Sequence, residues 1–195
     1  MTTAELTNLE LWQGWYGTQY STKFAVDWRE RIPLLRAIIE QTCARSVLDV
    51  GTNLGWNLRA LREIDPTLRL KGVDVNPWAA HGAQAMGLDV EVCEARDIEG
   101  PFDLVMTSGV LIHCGPADVA GVMRSIVEAS AAWVLAIEYP AERLSPSGPE
   151  LDGVTRTWCA PYGKMYEDFG TKLIAGGTAL AGYEGCDWWL MGKTE

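Results

Sequence analysis

The chain has 195 residues, 48% of them hydrophobic and 22% charged, which suits one folded domain and leaves no room for a second core. Sixteen basic side chains against twenty-six acidic ones leave a formal charge of −10; a general nucleic-acid binder, which needs a positive footprint, is excluded. Two histidines and five scattered cysteines, none in a C-x-x-C pair, argue against a zinc site, and the odd cysteine count fits a reducing cytoplasm.

The opening MTTAELTNLELW carries acids before any apolar run, and no stretch reaches 18 apolar residues, so neither an export signal nor a membrane span is expected. The first forty residues read as helical and aromatic. In DWRERIPLLRAIIEQT, Ile32, Leu35, Ile38 and Ile39 recur at helical spacing; Asp27 is an N-cap candidate with Glu30 three places on, and Pro33 draws the helix start toward itself. A strand follows at 46–51, a helix at 57–64, a strand at 70–75, a helix near 77–86 and a strand at 89–93. The alternation continues with a strand at 102–109, a helix at 116–130 opened by Pro116, and an apolar strand at 131–139 suited to the middle of a sheet. This spacing predicts an α/β, Rossmann-like three-layer sandwich with a mostly parallel sheet. After Tyr139 the Pro-, Gly- and Ser-rich stretch reads as loop, KMYEDFGTKLI as a last helix ended by Gly176 and Gly177, and 186–193 as the final strand. The expected organisation is a single domain over 1–195, with 1–40 a helical leader or lid and 140–180 an acceptor-side insert.

The sharpest local signal is VLDVGTNLGWN at 47–57, which contains G-x-N-x-G from Gly51 through Asn53 to Gly55. Glycine allows the positive φ of a tight loop and a close ligand, and asparagine is the side chain that best tolerates the same region. Asp74, at the tip of the second strand, is placed to accept both hydroxyls of an adenosine ribose. A dinucleotide fingerprint would read G-x-G-x-x-G, and no Lys-Ser or Lys-Thr follows to make a P-loop. Asp49, two residues before the first glycine, disfavours a pyrophosphate and suits a ligand bearing an amine and a sulfonium.

On these residues the sequence resembles the class I S-adenosylmethionine-dependent methyltransferases, and more narrowly the small methylases associated with pseudaminic acid biosynthesis. The resemblance runs through WQGWYGTQY at 12–20, LDVGTNLGWNLRAL at 48–61, GVDVNPWAA at 72–80 and FDLVMTSGVLIH at 102–113. It implies a seven-stranded sheet, of which six strands are legible above, and S-adenosyl-L-methionine as cofactor. It also implies that Asp49, Gly51, Asn53 and Gly55 line the methionine end, Asp74 takes the ribose, and Asn76, Asp97 and Ile98 seat the adenine. Tyr20, Lys23, Asn57 and Thr107 complete the expected cofactor set, with Lys23 standing where the family carries an arginine for the methionine carboxylate.

Three residues are candidates for the chemistry. His113 ends the segment that follows the fourth strand, where a neutral imidazole can take a proton, or it is a hydrogen-bonded structural histidine. Glu138 and Tyr139 end the fifth strand at the same edge, either to hold and orient an acceptor or to cap the strand. Trp12, Trp15 and Tyr16 of the leader are expected to fold over the site, with Arg143, Arg156, Trp158, Tyr162 and Tyr166 forming a second acceptor wall. The expected function is methylation of a small-molecule acceptor by a cytoplasmic monomer or homodimer. N-methylation of an amine or amino acid-like metabolite is preferred because Glu138 suits a cation. The alternatives are O-methylation of a sugar, carboxylate or other anionic metabolite, anchored by Arg143 or Arg156, and a non-catalytic cofactor-binding partner protein.

Overall fold

A computed structural model describes residues 7–23, 27–148, 156–179, 181–183 and 185–194, the side chain of Lys23 excepted. Seven strands make one sheet: β1 (Ser46–Val50), β2 (Arg69–Asp74), β3 (Val90–Val92), β4 (Phe102–Ser108), β5 (Ser130–Glu138), β6 (Thr171–Thr178) and β7 (Asp187–Lys193). Their order is β3-β2-β1-β4-β5-β7-β6; β1 to β5 run parallel, and β7 pairs antiparallel with both β5 and β6. All five residues of β1 are buried, as expected of a central parallel strand covered on both faces.

Among the described residues, seven helices surround the sheet: α1 (Asn8–Gln13), α2 (Trp15–Lys23), α3 (Ile32–Thr42), α4 (Trp56–Ile64), α5 (Pro77–Ala85), α6 (Val119–Ala129) and α7 (Tyr162–Glu167). Alternate residues along the strands feed opposite cores. Leu48, Val50 and Val105 meet Met123 and Ile126 of α6 and Tyr162 and Tyr166 of α7 on one face. Val47, Leu104 and Met106 meet Leu35 and Ile38 of α3 and Leu61 of α4 on the other. Asp27 caps a 3-10 turn, Trp28–Arg31, and α3 starts just beyond it with Pro33 in its first turn, where a missing N–H costs nothing. Pro116 lies in a turn before α6, closed by the Asp118 N–H donating to the Gly115 carbonyl at 2.9 Å.

The expected last helix is corrected. Only its first part is helical: α7 ends at Glu167, Gly170 turns the chain at φ +75°, and residues 171–178 form β6, the seventh strand. Met165, Phe169 and Leu173 are spaced four apart and imitate a helix face, but they sit on two different elements. Gly176 and Gly177 therefore lie inside a strand, where a Cβ would meet the Trp188 carbonyl at 3.0 Å or its ring nitrogen at 3.3 Å.

Among the described residues, no helix is long and apolar enough to cross a membrane, and no group of three or more His, Cys, Asp and Glu side chains is placed to hold a metal.

Candidate active site

A cavity of about 650 Å³ opens over the carboxyl ends of the parallel strands. It lies at the switch point between β1 and β4, where the strand order reverses and α/β sheets leave a crevice. The loop after β1 folds back on β2, with the Gly51 and Thr52 N–H groups donating to the Val73 carbonyl at 2.8 and 3.0 Å. Gly51 has φ +69°, and a Cβ there would collide with Val110 Cγ2, so both backbone conformation and space demand glycine. Asn53 follows at φ +53°, and its N–H donates to Asp74 Oδ2 at 2.8 Å while the Asn76 N–H donates to Oδ1 at 2.8 Å. Both Asp74 oxygens are thus fixed, each with a lone pair to spare. Burial raises the Asp74 pKa above its usual value, and these two N–H bonds pull the other way.

Behind the loop lies Asp49, fully buried, accepting from Thr52 Oγ1 at 2.6 Å and Asn57 Nδ2 at 3.0 Å. Burial pushes its carboxyl up to about 6 against these bonds. Asn57 Oδ1 in turn accepts from Arg31 Nη1 at 2.7 Å and from the Tyr183 hydroxyl at 2.8 Å. Arg31 is only 8% exposed, lies over the Tyr183 ring at 4.5 Å, and lines the cavity with a buried Nε that has no hydrogen-bond partner among the described residues. Sequence reasoning missed it: a charge between Glu30 and Ile32 reads as solvated, and only the packing of the 3-10 turn on α4 brings it to Asn57.

On the far side, Glu138 is fully buried and its oxygens accept the Val110 and Ile112 N–H groups at 3.2 and 3.4 Å. It holds the 3-10 turn Leu111–His113 from behind, and burial pushes its carboxyl up to about 7. His113 faces the cavity with its ring 4.4 Å from that of Trp12 and its Nδ1 3.3 Å from the Arg156 carbonyl. Because a carbonyl only accepts, Nδ1 carries the proton in this bond. Burial drives the His113 pKa down to about 4, so the ring is neutral at neutral pH. The leader is tied to the cavity wall through Asn76, whose Nδ2 donates to the Trp12 and Gly14 carbonyls at 2.9 and 3.1 Å while its Oδ1 caps α5.

The cavity wall brings together Gly51, Asn53, Asn57, Asp74 and Asn76 on one side, and Trp12, Tyr20, His113 and Tyr139 on the other. Asp49, Thr107 and Glu138 are buried behind this wall, and Gly55 is spent as the N-cap of α4 at φ +76°. Asp97 is exposed on a turn closed onto the Glu94 carbonyl, and Ile98 packs toward α6; the wall beside Asp74 is formed instead by Cys93–Arg96. The five residues expected as a second acceptor wall do not line this cavity. Tyr162 and Tyr166 point from α7 into the core, fully buried, because that face of α7 packs on the sheet. Trp158 packs against Gly115, and Arg143 is exposed on the loop beyond β5. Arg156 is buried, with Nη1 donating to Asn8 Oδ1 at 3.2 Å. Trp15 is 63% exposed, and Tyr16 stands edge-on behind Trp12 at 5.3 Å. The Lys23 side chain lies outside the described residues.

No family model matches the sequence, and no curated protein matches it. Solved structures do. Magnesium protoporphyrin IX methyltransferase from Synechocystis, solved with bound SAM, is 11% identical with a TM-score of 0.73 over 99% of this chain and 100% of that one. A sugar N-methyltransferase from Streptoalloteichus is 14% identical with a TM-score of 0.69, covering 100% of this chain and 96% of that one. A mitomycin 7-O-methyltransferase is 16% identical with a TM-score of 0.73, covering 97% of this chain and 61% of that one. The chain has the fold of the class I S-adenosylmethionine-dependent methyltransferases.

Proposed function

We propose that the chain moves a methyl group from S-adenosylmethionine to a hydroxyl of a small molecule. The observation that carries this reading is one cavity holding a fixed carboxylate, Asp74, a buried guanidinium, Arg31, and a neutral imidazole, His113. The residues fit the cofactor: Arg31 Nε is buried at the wall without a hydrogen-bond partner among the described residues, and the two Asp74 oxygens beside the Gly51 loop each keep a lone pair. When bound, the cofactor supplies an electrophilic methyl on a sulfonium. Asp74 accepts the ribose hydroxyls with its spare lone pairs, and Cys93–Arg96 bounds the adenine. Arg31 takes the methionine carboxylate, the task the sequence resemblance gives to Lys23. Asp49 stays behind the loop and holds Thr52 and Asn57 in place. The leader acts as a lid, laying Trp12 and Tyr20 over the site to exclude water.

At the acceptor side His113 keeps Nε2 as its free lone pair. An alcohol becomes strongly acidic as its oxygen is alkylated, so even an imidazole held near 4 takes that proton. The preference for N-methylation leaned on Glu138 meeting an amine, but its oxygens are turned to backbone N–H groups in the interior. Support therefore moves to O-methylation. Arg143 and Arg156 give an anionic acceptor little help, one standing outside the cavity wall and the other bonded to Asn8. The leader and GVLIH resemblance favours a sugar as the first acceptor class to try. Calorimetry with S-adenosylmethionine, followed by a labelled-methyl assay on alcohols, sugars, phenols and amines read by mass, tests the reading. Binding with methylated hydroxyls is the expected result. Absence of binding at millimolar cofactor ends the enzyme reading, and methyl transfer to amines alone restores N-methylation.

A further inference from the structure

Three segments far apart in sequence meet at one carbonyl oxygen. The Arg156 carbonyl accepts from His113 Nδ1 at 3.3 Å and from Asn8 Nδ2 at 3.1 Å. The same Asn8 Nδ2 donates to the His113 carbonyl at 2.8 Å, and Asn8 Oδ1 accepts from Arg156 Nη1 at 3.2 Å. One amide thus clasps both the residue that carries the imidazole and the residue that orients it. Its place is set by the start of α1: the Thr7 N–H donates to Glu10 Oε2 at 2.8 Å, and Thr7 Oγ1 accepts the Glu10 N–H at 3.2 Å, a capping box immediately before Asn8. One helical turn later, on the same face, Trp12 lays its ring against His113 at 4.4 Å.

We infer that Asn8 is a positioning residue: by holding the Arg156 carbonyl against Nδ1 it selects the tautomer of His113 that leaves Nε2 unprotonated. Free imidazole of a histidine side chain favours the proton on Nε2, so the opposite state needs a fixed acceptor at Nδ1, and a carbonyl steadied by a second donor supplies one. The value of that tautomer for catalysis rests on the methyl-transfer reading above. The tautomer itself does not. Docking of the leader and readiness of the imidazole then become one event, because the same amide serves both.

The chain carries two histidines, and His81 is exposed on α5, so ¹⁵N-histidine labelling of the full chain gives an uncrowded spectrum, assigned with His81→Gln. At pH 7 the wild type is expected to show His113 with Nδ1 protonated and Nε2 bare. Asn8→Asp keeps an oxygen for Arg156 but removes both N–H donors and repels the two carbonyls; Asn8→Ala removes everything. Both are expected to lose the Nδ1–H signature in favour of Nε2–H. A wild type already protonated at Nε2, or an Asn8→Asp protein that keeps Nδ1–H, overturns the inference. The His81 resonances report folding of each variant, and α1 buries only Leu11, so folding should survive. S-adenosylhomocysteine affinity is measured on the same samples. Its absence in wild type refutes the methyltransferase reading and leaves the tautomer result standing.

Discussion

The two walls of the cavity are built at different ranges along the chain. On the Asp74 side the bonds of Thr52 and Asn57 to Asp49 and of Asn53 to Asp74 span 3, 8 and 21 positions. On the His113 side the bonds that hold the 110–113 turn and its histidine span 26, 28, 43 and 105 positions, and the one that steadies the Arg156 carbonyl spans 148. A wall made of neighbours shows itself as a motif. A wall made of distant partners shows only its separate pieces, each of which passes for an ordinary loop, cap or strand end. The exception sharpens the rule: Arg31 and Tyr183 reach the Asp74 side, at Asn57, from 26 and 126 positions away, and neither was visible in the pattern.

Four measurements separate the walls. His113→Ala should cut methylation by roughly a hundredfold or more, the usual worth of a positioned base, while cofactor affinity stays put. A rate that does not fall returns His113 to a structural role. Arg31→Ala should weaken cofactor binding by about 2 kcal/mol in calorimetry, near thirtyfold, with Arg31→Lys recovering only part because an ammonium lacks the fork of donors. Full affinity in the alanine variant would move the carboxylate anchor to another residue, Lys23 first.

The third measurement uses pH. The folded-state pKa of Glu138 is raised from 4.5 to about 7 and that of Asp49 from 3.8 to about 6, so the folded state holds these protons better and loses stability as pH rises through those windows. His113, lowered from 6.5 to about 4, acts oppositely: its stability is lost as pH falls from 6.5 through 4. From pH 5 to 7 the two carboxyls outweigh the imidazole. The wild type should therefore be less stable at pH 7 than at pH 5, by on the order of 2 kcal/mol, when urea midpoints are compared. Glu138→Gln should erase the difference, and a variant that keeps it shows that Glu138 is not the group responsible. The smallest effect is expected at Asp74→Ala, a loss of about 1 kcal/mol in cofactor affinity or somewhat more. Unchanged binding by a folded variant removes the ribose assignment.

Much of the fold could be read from the sequence because its strands are short apolar runs ended by turn residues. The predicted strands at 46–51, 70–75, 89–93, 102–109, 131–139 and 186–193 all lie within two residues of the observed bounds. The seventh strand stayed hidden because Met165, Phe169 and Leu173 keep a helical interval across the break at Gly170. For the site, being at a strand end told which edge of the sheet a residue reaches but not which way its side chain turns. Successive side chains alternate: Tyr139 lines the cavity, while its neighbour Glu138 is buried behind it. In the same way, aromatic rings in an apparent insert looked like an acceptor wall, and Tyr162 and Tyr166 proved to be core because α7 lies on the sheet.

The Tyr183 hydroxyl on Asn57 carries a consequence for cutting the chain. A fragment ending after β5 would still contain the glycine loop, Asp74, Arg31 and the 108–113 segment, every feature that marks the fold in one dimension. It would lack the ring beneath the Arg31 guanidinium and the second donor to Asn57 Oδ1. Arg31 would then keep Asn57 and the Trp56 ring, 5.5 Å away, but lose its nearer ring contact at the cavity. Supplying the whole missing segment from α7 through β7 as a separate peptide, so that Tyr162 and Tyr166 refill the core and Tyr183 returns to Asn57, should restore cofactor binding by complementation.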